Sequence, residues 1–168
     1  VANLVTKISL GIKSDSTPVG WLVKSMMSGS NFPGFISAEI LPPDQPDTGE
    51  WTLIQRFLAR SQADTWQQSE QHLRLMEEVK SVSVGGEFHI SEESNEQYGA
   101  RGSVTTAIVT HVLPGLEADY RDWERRAQTA QSKFPGYQGS YLQPPTDGAT
   151  GWVTLLRFDK PESSIFDF

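Results

Sequence analysis

Hydrophobic and polar residues alternate along the first dozen positions of the chain. From Leu4 to Ile12, apolar side chains recur at every second residue apart from Thr6, which is the period of a strand with one buried face. The same alternation returns over residues 104–112. We therefore predict a β-strand at the start of each half of the chain.

A helical period follows each of these strands. In the first half, Ser16, Thr17 and Pro18 form a typical helix start, because a hydroxyl can cap the first turn and proline tolerates its missing N–H there. The apolar residues that follow fall on one helix face: Val19, Leu22, Val23, Met26 and Met27. The second half has a matching stripe: Leu116, Tyr120, Trp123, Ala127 and Ala130. We therefore predict a helix after each opening strand.

The tripeptide Phe-Pro-Gly ends each helix, at residues 32–34 and 134–136. Proline cannot continue a helix and glycine accepts a positive φ, so the chain is predicted to turn there. Two further strands follow in each half, joined by a loop rich in Pro, Asp and Gly. They are predicted at residues 35–41 and 51–58, and at residues 137–143 and 152–158.

The first half continues with a second helix and a last strand. Residues 61–64 resemble a capping box, and the helix is predicted to run to about Val79. Its buried side is predicted to carry Trp66, Leu73 and Met76. A strand over residues 82–90 is predicted next, kinked at its two glycines. The order is then βαββαβ, which is the ferredoxin-like arrangement.

The two halves of the chain repeat each other at an offset of 102 residues. The matched positions include Trp21 with Trp123, Phe32-Pro33-Gly34 with Phe134-Pro135-Gly136, and Pro42-Pro43 with Pro144-Pro145. One deletion in the loop then brings Trp51, Arg56 and Phe57 onto Trp152, Arg157 and Phe158. A period of this length indicates a duplicated small domain rather than a solenoid.

The repeat predicts the domain organisation. We expect a first repeat at residues 1–92, a polar linker at residues 93–103, and a second repeat at residues 104–168 that lacks its last helix and strand. Both faces of the strand at residues 51–58 carry apolar groups, so a second sheet is expected to cover the face away from the helices. The predicted fold class is α+β, with two ferredoxin-like βαββαβ repeats packed sheet to sheet as a dimeric α+β barrel, within one chain or between chains.

Charge and composition narrow the classes of partner. The chain has 21 acidic and 14 basic residues, a net charge of -7, and no cluster of Lys and Arg, so we expect no nucleic-acid partner. It has no cysteine, which excludes disulfides, thiolate metal sites and thiol nucleophiles. No signal segment and no apolar run of membrane-spanning length is present in the given sequence. A cytoplasmic location without membrane contact is predicted.

Motifs for metals and nucleotides are also missing from the sequence. His72, His89 and His111 lack the spacing of a metal site, and there is no glycine-rich dinucleotide loop, P-loop or serine-nucleophile elbow. We therefore predict no metal and no cofactor.

Three segments together resemble a known family. These are "HVLPGLEADYRDWERRAQTAQSKFPGY", the strand pairs that end in Arg-Phe, and the helical stretch "WQQSEQH". They resemble the antibiotic biosynthesis monooxygenase-like family of dimeric α+β barrel proteins, nearly along the whole chain twice. The resemblance implies ferredoxin-like units with, in some members, a pocket between sheet and helices. Its relatives include cofactor-independent oxygenases of polycyclic phenols and haem-degrading oxygenases.

The resemblance suggests catalytic candidates. Trp66, Ser69 and His72 occupy the family's second-helix motif, with His72 as the candidate base. From the residues alone, His72 lies beside Leu73 on the helix, so a partly exposed structural histidine is the alternative. Arg56 and Arg157 recur on matching strands, where each could hold a substrate anion or pair with a surface carboxylate.

Tryptophans supply the candidates for substrate binding. Trp66, Trp51 and Trp152 could form the aromatic wall of a pocket, whereas recurring tryptophans are also what duplicated core packing predicts. The haem-degrading branch relies on an iron-binding histidine and on an asparagine of the first strand. Asn3 lies close to the start of the chain, so it is not equated with that asparagine, and the spacing from Trp66 to His72 is shorter than in that branch. Haem binding is therefore the lesser alternative.

Three functional hypotheses result. The first is a monooxygenase-like protein that oxidises a small apolar or aromatic, polyketide-like molecule with O₂ and no cofactor. The alternative is a non-catalytic tandem barrel module for oligomerisation or small-ligand sensing, and the lesser alternative is haem binding or degradation. A homo-oligomer is expected under each hypothesis, and whether any reaction is catalysed is left open.

Overall fold

The computed structural model describes residues 1–10, 18–43, 50–82, 88–94, 103–145 and 151–159. The chain divides into two compact units, unit 1 at Val1–Arg101 and unit 2 at Gly102–Phe168. No helix in the described part of the chain is both long and apolar enough to cross a membrane.

Unit 1 has the ferredoxin-like topology. Its elements are β1 (Ala2–Leu10), α1 (Val19–Ser30), β2 (Phe35–Leu41), β3 (Glu50–Phe57), α2 (Arg60–Gln67), α3 (Glu70–Val82) and β4 (Phe88–Ser94). The four strands form one sheet in the order β2-β3-β1-β4, with antiparallel neighbours. This order confirms the predicted α+β class and the ferredoxin-like arrangement.

Unit 2 repeats the first four elements of unit 1. It contains β5 (Val104–Thr110), α4 (Glu117–Gln131), β6 (Tyr137–Gln143) and β7 (Trp152–Phe158), with the sheet order β5-β7-β6. The order β1-β3-β2 in unit 1 is its counterpart. The residues on which the prediction of an incomplete repeat depends, 160–168, lie outside the described part of the chain.

The two sheets share a β-bulge at the same place. In unit 1 the register between β2 and β3 shifts between Phe35 and Ser37, so Ser37 lies opposite Arg56. In unit 2 the register shifts between Tyr137 and Gly139, so Gly139 lies opposite Arg157. Each bulge therefore adjoins the arginine that the two halves have in common.

The Phe-Pro-Gly turns also have the same geometry in both units. Gly34 has φ of 82° and Gly136 has φ of 84°, a conformation that favours glycine. The carbonyl oxygen of each glycine accepts a 2.8 Å hydrogen bond, from the N–H of Leu58 and of Asp159 respectively. The two halves of the chain therefore repeat each other in backbone geometry as well as in sequence.

The predicted second helix of unit 1 is two helices. The helix α2 begins at Arg60 rather than in the predicted box, and Gln62 Oε1 accepts a 3.2 Å hydrogen bond from the N–H of Ala59. It ends before Ser69, whose hydroxyl accepts a hydrogen bond from the N–H of His72 at 3.2 Å. Ser69 thereby caps a new helix.

The helix α3 also continues further than the sequence predicted. It runs to Val82, where a strand was predicted to start, and β4 extends to Ser94, beyond the predicted end of the first repeat. The predicted kink at the two glycines lies outside the described residues.

The core of unit 1 lies between the sheet and its helices. It is formed by Ala2, Leu4, Phe57, Ala63, Trp66 and Leu75. Over residues 70–79 of α3 the buried residues are His72, Leu75 and Val79, whereas Leu73 is 54% exposed. The prediction that Leu73 faces the core is wrong, because the restart of the helix at Ser69 sets a different helical phase.

The helix α4 of unit 2 is more exposed than its sequence suggests. None of its residues is buried, and Leu116, just before it, is 46% exposed. Trp123 is 53% exposed and Ala130 is also exposed, so the predicted apolar stripe is wrong at these positions. The helix contacts its sheet through Tyr120, whose ring lies 5.1 Å from that of Trp152.

Candidate functional site

Two residues of the second-helix motif meet in the core of unit 1. His72 is only 1% exposed, and its ring lies 5.2 Å from that of Trp66 in an edge-on arrangement. Trp66 is itself fully buried and contacts the ring of Phe32 at 5.4 Å. The prediction of a partly exposed His72 is therefore wrong, because the Ser69 cap turns it towards the sheet.

A buried glutamine links this aromatic pair to helix α1. Trp66 Nε1 donates a hydrogen bond to Gln55 Oε1 at 3.2 Å, and Gln55 Nε2 donates to the carbonyl oxygen of Ser25 at 3.3 Å. Gln55 has no exposed surface, so its amide depends on these partners. It is a member of the site that sequence reasoning missed.

A signal for Gln55 is present in the sequence. Residues of a strand alternate between faces, so Gln55 shares its face with Trp51, Leu53 and Phe57. All three neighbours are buried and apolar. A single amide in such a row indicates a specific polar partner across the core.

Helix α1 approaches Gln55 closely because it has a glycine there. A Cβ on Gly29 would lie 2.3 Å from Gln55 Nε2 and 3.5 Å from the ring of Trp66. Any side chain at this position would push the amide out of place. Gly29 is therefore part of the packing that holds Gln55 and Trp66.

Arg56 lies on the other face of the same sheet. Because Gln55 faces the helices, its strand neighbour Arg56 faces away from them. Arg56 is paired in register with Asn3 of β1 and donates a hydrogen bond to Glu39 at 3.0 Å. The structure therefore does not bring Arg56 and His72 together. The carboxylate partner considered for Arg56 is present, but it is buried.

Trp51 is on the helix-facing side of unit 1 but away from the histidine. It is 2% exposed, so it is a core residue. It precedes Gln55 by four strand positions, which places the two Cα atoms about 13 Å apart. Trp51 and Trp66 are therefore separate parts of the core.

In unit 2 the predicted arginine and tryptophan are also on opposite faces. Trp152 is 3% exposed, and the guanidinium of Arg121 lies 4.9 Å from its ring centre, a cation–π contact. Arg157, five positions further along β7, lies between Thr105 and Gly139 in the sheet and is half-buried. Strand alternation puts Trp152 on the α4 side and Arg157 on the other side.

Two tyrosines of unit 2 have pKa values above the ordinary value. At the position that matches Glu39, the repeat has Tyr141, which donates a hydrogen bond to Gln143 Oε1 at 3.1 Å. Burial raises the pKa of Tyr141. Burial also raises the pKa of Tyr120, whose hydroxyl donates to Glu124 at 2.9 Å.

The surface of α4 carries an ionic cluster. The Arg125 guanidinium donates to Asp122 at 2.6 Å, and Arg126 lies 3.3 Å from the same carboxylate. The hydrogen bond from Arg125, with the charges of both arginines, lowers the pKa of Asp122. Because these groups are exposed, the cluster belongs to the surface rather than to a buried site.

The described residues contain no metal cluster, and a surface groove on α3 of unit 1 does not include the predicted site residues. Among the described residues, no group of three or more His, Cys, Asp and Glu side chains is placed to hold a metal ion. A wide surface groove follows α3 and is lined by Glu70, Leu73, Arg74, Glu77 and Glu78. None of the candidate catalytic residues lines this groove.

Comparison with known sequences gives a limited match. No protein-family model matches the chain. An uncharacterized protein of Synechococcus elongatus, Synpcc7942_2318, is 37% identical over 59 residues, which are 34% of this chain and 28% of that protein. The chain therefore matches less than a third of the length of this relative.

Comparison with solved structures gives distant likenesses. Rv0793 from Mycobacterium tuberculosis has a TM-score of 0.41 at 15% identity, over 56% of this chain and 93% of that one. A candidate monooxygenase of Fusobacterium nucleatum, FN1347, has a TM-score of 0.39 at 10% identity, over 96% and 78%. A candidate monooxygenase from Lactobacillus acidophilus has a TM-score of 0.39 at 13% identity, over 97% and 80%. The fold class of the chain rests on its own strand order.

Proposed function

We propose that the chain is a tandem monooxygenase-like protein of the dimeric α+β barrel class. In this proposal, unit 1 binds a small apolar or aromatic molecule between its sheet and helices and oxidises it with O₂ and no cofactor. The observation that carries the proposal is the buried contact between His72 and Trp66 on the helix-facing side of the sheet. The resemblance of residues 66–72 to the second-helix motif supports it.

The first chemical step is removal of a proton. An imidazole nitrogen of His72 takes the proton from a phenol or enol, which leaves an electron-rich anion. The ring of Trp66, with Phe32 beside it, supplies the flat apolar wall that an aromatic ligand needs. Phe32 is only partly buried, so the ligand enters on its side.

The anion also needs a hydrogen-bond donor. The indole N–H of Trp66 faces this interior and donates to Gln55 Oε1 in the structure, while Gln55 Nε2 donates to the carbonyl oxygen of Ser25. A ligand oxyanion that takes the place of Gln55 Oε1 accepts the indole N–H and is stabilised by it. Trp66 thereby takes the role that sequence reasoning considered for Arg56.

The oxidation itself draws its electrons from the substrate. The carbanion-like carbon transfers electrons to O₂ and forms a C–O bond, and the resulting peroxide takes the proton held by His72. Loss of water then leaves a carbonyl or quinone. One oxygen atom enters the product, the other leaves as water, and no reductant is consumed.

The proposal is tested by O₂ uptake with a panel of polycyclic phenols. We expect uptake with at least one phenol, one O₂ per product molecule, and a rate lowered at least about a hundredfold in His72→Gln. His111→Gln is the matched control, because His111 is exposed in unit 2. Phenol-dependent uptake that His72→Gln leaves unchanged would overturn the assignment of the base.

A second candidate function is a non-catalytic module for oligomerisation or small-ligand sensing. The observation in its favour is that Trp66, His72 and Gln55 are each at most 1% exposed, so side chains fill this interior. This function predicts no O₂ uptake with any phenol. Sedimentation equilibrium would then report a concentration-dependent homo-oligomer, or a ligand panel would report binding without turnover.

Haem binding stays the lesser alternative. Asn3 shares the sheet face of Arg56, opposite the face that His72 packs on, so this asparagine and histidine do not converge. A haem titration without a Soret shift would remove the alternative. The domain bounds at 1–92 and 104–168, the sheet-to-sheet barrel and the cytoplasmic location stay predictions.

A further inference from the structure

A serine hydroxyl is buried within helix α1 of unit 1. Ser25 is 1% exposed, and its Oγ has no hydrogen-bond partner among the described residues. Serine hydroxyls within helices commonly bond back to a carbonyl oxygen about one turn earlier, and Ser30 of the same helix does so to Met27 at 2.6 Å. A buried hydroxyl without a partner is unfavourable in the folded state, so it requires a role in function or a bound water molecule.

The residue that carries this hydroxyl contacts the amide of Gln55. The carbonyl oxygen of Ser25 accepts a 3.3 Å hydrogen bond from Gln55 Nε2, and Gln55 Oε1 accepts from the indole N–H of Trp66 at 3.2 Å. Ser25 and Gly29 are one helical turn apart, so they lie on the same face of α1, and the missing side chain at Gly29 lets the amide lie against the helix. One amide group therefore joins Ser25 to Trp66.

The amide of Gln55 has two orientations of nearly the same shape. Rotation by 180° about its last side-chain torsion, which has a broad two-fold preference, exchanges Nε2 and Oε1. In the reversed orientation Nε2 faces the indole N–H of Trp66, and Oε1 faces the carbonyl oxygen of Ser25. Without a ligand this arrangement is unfavourable, because a donor opposes a donor and an acceptor opposes an acceptor. The observed orientation is therefore the one expected for the ligand-free site.

An anionic ligand and the hydroxyl of Ser25 together remove both conflicts. We propose that Ser25 is a positioning residue, whose hydroxyl donates to Oε1 of the reversed Gln55 amide when the substrate anion is bound. The oxyanion then accepts hydrogen bonds from the indole N–H of Trp66 and from Gln55 Nε2, so it gains a second donor. The inference rests on the proposed function, because the ligand is the phenolate or enolate of the same site.

Removal of the hydroxyl separates this role from a structural one. Ser25→Ala deletes a buried group that has no partner and places a better helix former in α1, so the melting temperature without ligand is expected to stay equal or to rise. A hydroxyl that holds a structural water molecule would instead make Ser25→Ala less stable. Ser30→Ala is the matched control, because Ser30 is an exposed serine of the same helix.

The pKa of a bound phenol reports how well the site stabilises its anion. The probe is para-nitrophenol, which is titrated into the intact 168-residue protein over a range of pH, and the absorbance of its phenolate gives its pKa in the complex. We expect the wild-type protein to lower this pKa, and Ser25→Ala to raise it again through about a tenfold loss of affinity for the phenolate. Ser25→Cys keeps a weak donor and should give an intermediate pKa, whereas Ser30→Ala should match the wild-type protein.

Two results would overturn the inference alone: the same pKa of bound para-nitrophenol in the wild-type protein and Ser25→Ala, or a lower melting temperature of ligand-free Ser25→Ala. Phenol-dependent O₂ uptake alongside either result would leave the proposed oxidation standing. A bound phenolate that depends on Ser25, without O₂ uptake for any phenol, would support the positioning role and contradict the oxidation. A lack of para-nitrophenol binding would contradict the positioning role and the phenol site together.

Discussion

The guanidinium of Arg56 donates a hydrogen bond to the carboxylate of Glu39 at 3.0 Å, and only 3% and 6% of the two side chains are exposed. The pair joins neighbouring strands on the face of the sheet away from the helices. A buried pair gains little net stability, but the loss of one partner leaves a charge that water cannot reach. Glu39 therefore neutralises the charge of Arg56 where water cannot reach it.

Removal of the carboxylate is expected to destabilise the protein strongly. We expect Glu39→Ala to lower the free energy of unfolding by on the order of 3 kcal/mol, because the Arg56 charge stays buried without this carboxylate. Urea unfolding followed by circular dichroism measures the change. Glu78→Ala is the matched control, since its pair with Lys24 is exposed, and should cost under about 1 kcal/mol. Equal costs for the two variants would contradict the account.

Loss of the amide at position 55 is expected to destabilise the core of unit 1. Gln55→Leu keeps the volume but removes the acceptor for the buried indole N–H of Trp66, so we expect a cost of about 1–3 kcal/mol. Gln71→Leu is the control, because Gln71 is exposed on α3. If thermal unfolding gave the same stability for Gln55→Leu as for the wild-type protein, the hydrogen bond from Trp66 to Gln55 would not stabilise the fold.

Two glycines with positive φ are expected to differ in their tolerance of alanine. Gly115 has φ of 88° and no atom near a new Cβ, so Gly115→Ala should cost only the backbone strain, about 1–2 kcal/mol. A Cβ on Gly34 would lie 2.1 Å from the side chain of Gln62, which accepts from the N–H of Ala59 at the start of α2. Gly34→Ala should therefore cost more. Urea midpoints in the reverse order would contradict this packing.

Stability above neutral pH is expected to depend on Tyr141. Burial raises its pKa in the folded state above the ordinary value of 10.0, so the folded protein holds this proton more tightly than the unfolded chain does. The contribution is fully present below pH 10 and is lost as the pH rises through the folded pKa. Tyr141→Phe should flatten the fall in melting temperature between about pH 9 and pH 12. An unchanged slope would mean that other groups control alkaline unfolding.

Local periodicity predicted much of the fold. The strands at residues 35–41, 137–143 and 152–158 have the predicted bounds. The helix α1 begins at Val19, the first residue of its predicted apolar stripe, and the predicted caps Ser16 and Thr17 lie outside the described residues. Within each of these elements, apolar residues recur with a period of two for a strand or 3.6 for a helix, and turn residues mark both ends. The ferredoxin-like order of unit 1 follows from their succession.

The exposure of these side chains depends on the helical phase and on contacts with distant elements. The cap at Ser69 restarts the helix, which buries His72 and exposes Leu73, and a single continuous helix would not have done so. Trp123 is exposed, whereas its counterpart Trp21 donates a hydrogen bond to the carbonyl oxygen of Leu75, 54 residues further along the chain. Periodicity describes one element at a time, so it cannot report either effect.

Strand pairing also decided which candidates meet. The sequence shows that Gln55 and Arg56 are neighbours on one strand, and alternation requires opposite faces. It does not show that Glu39 lies beside Arg56 or that Trp66 reaches Gln55, because these contacts join different elements. His72 and Arg56 lie on opposite faces of the sheet, so the two side chains cannot hold one substrate together as base and anion partner.

The most direct test of the proposed oxidation is the rate of O₂ consumption with an active polycyclic phenol, compared between His72→Gln and the control His111→Gln. The account predicts a rate lowered at least about a hundredfold in His72→Gln, a wild-type rate in His111→Gln, and phenol binding by both. No O₂ consumption by the wild-type protein with any phenol, or equal rates in the two variants, would contradict it.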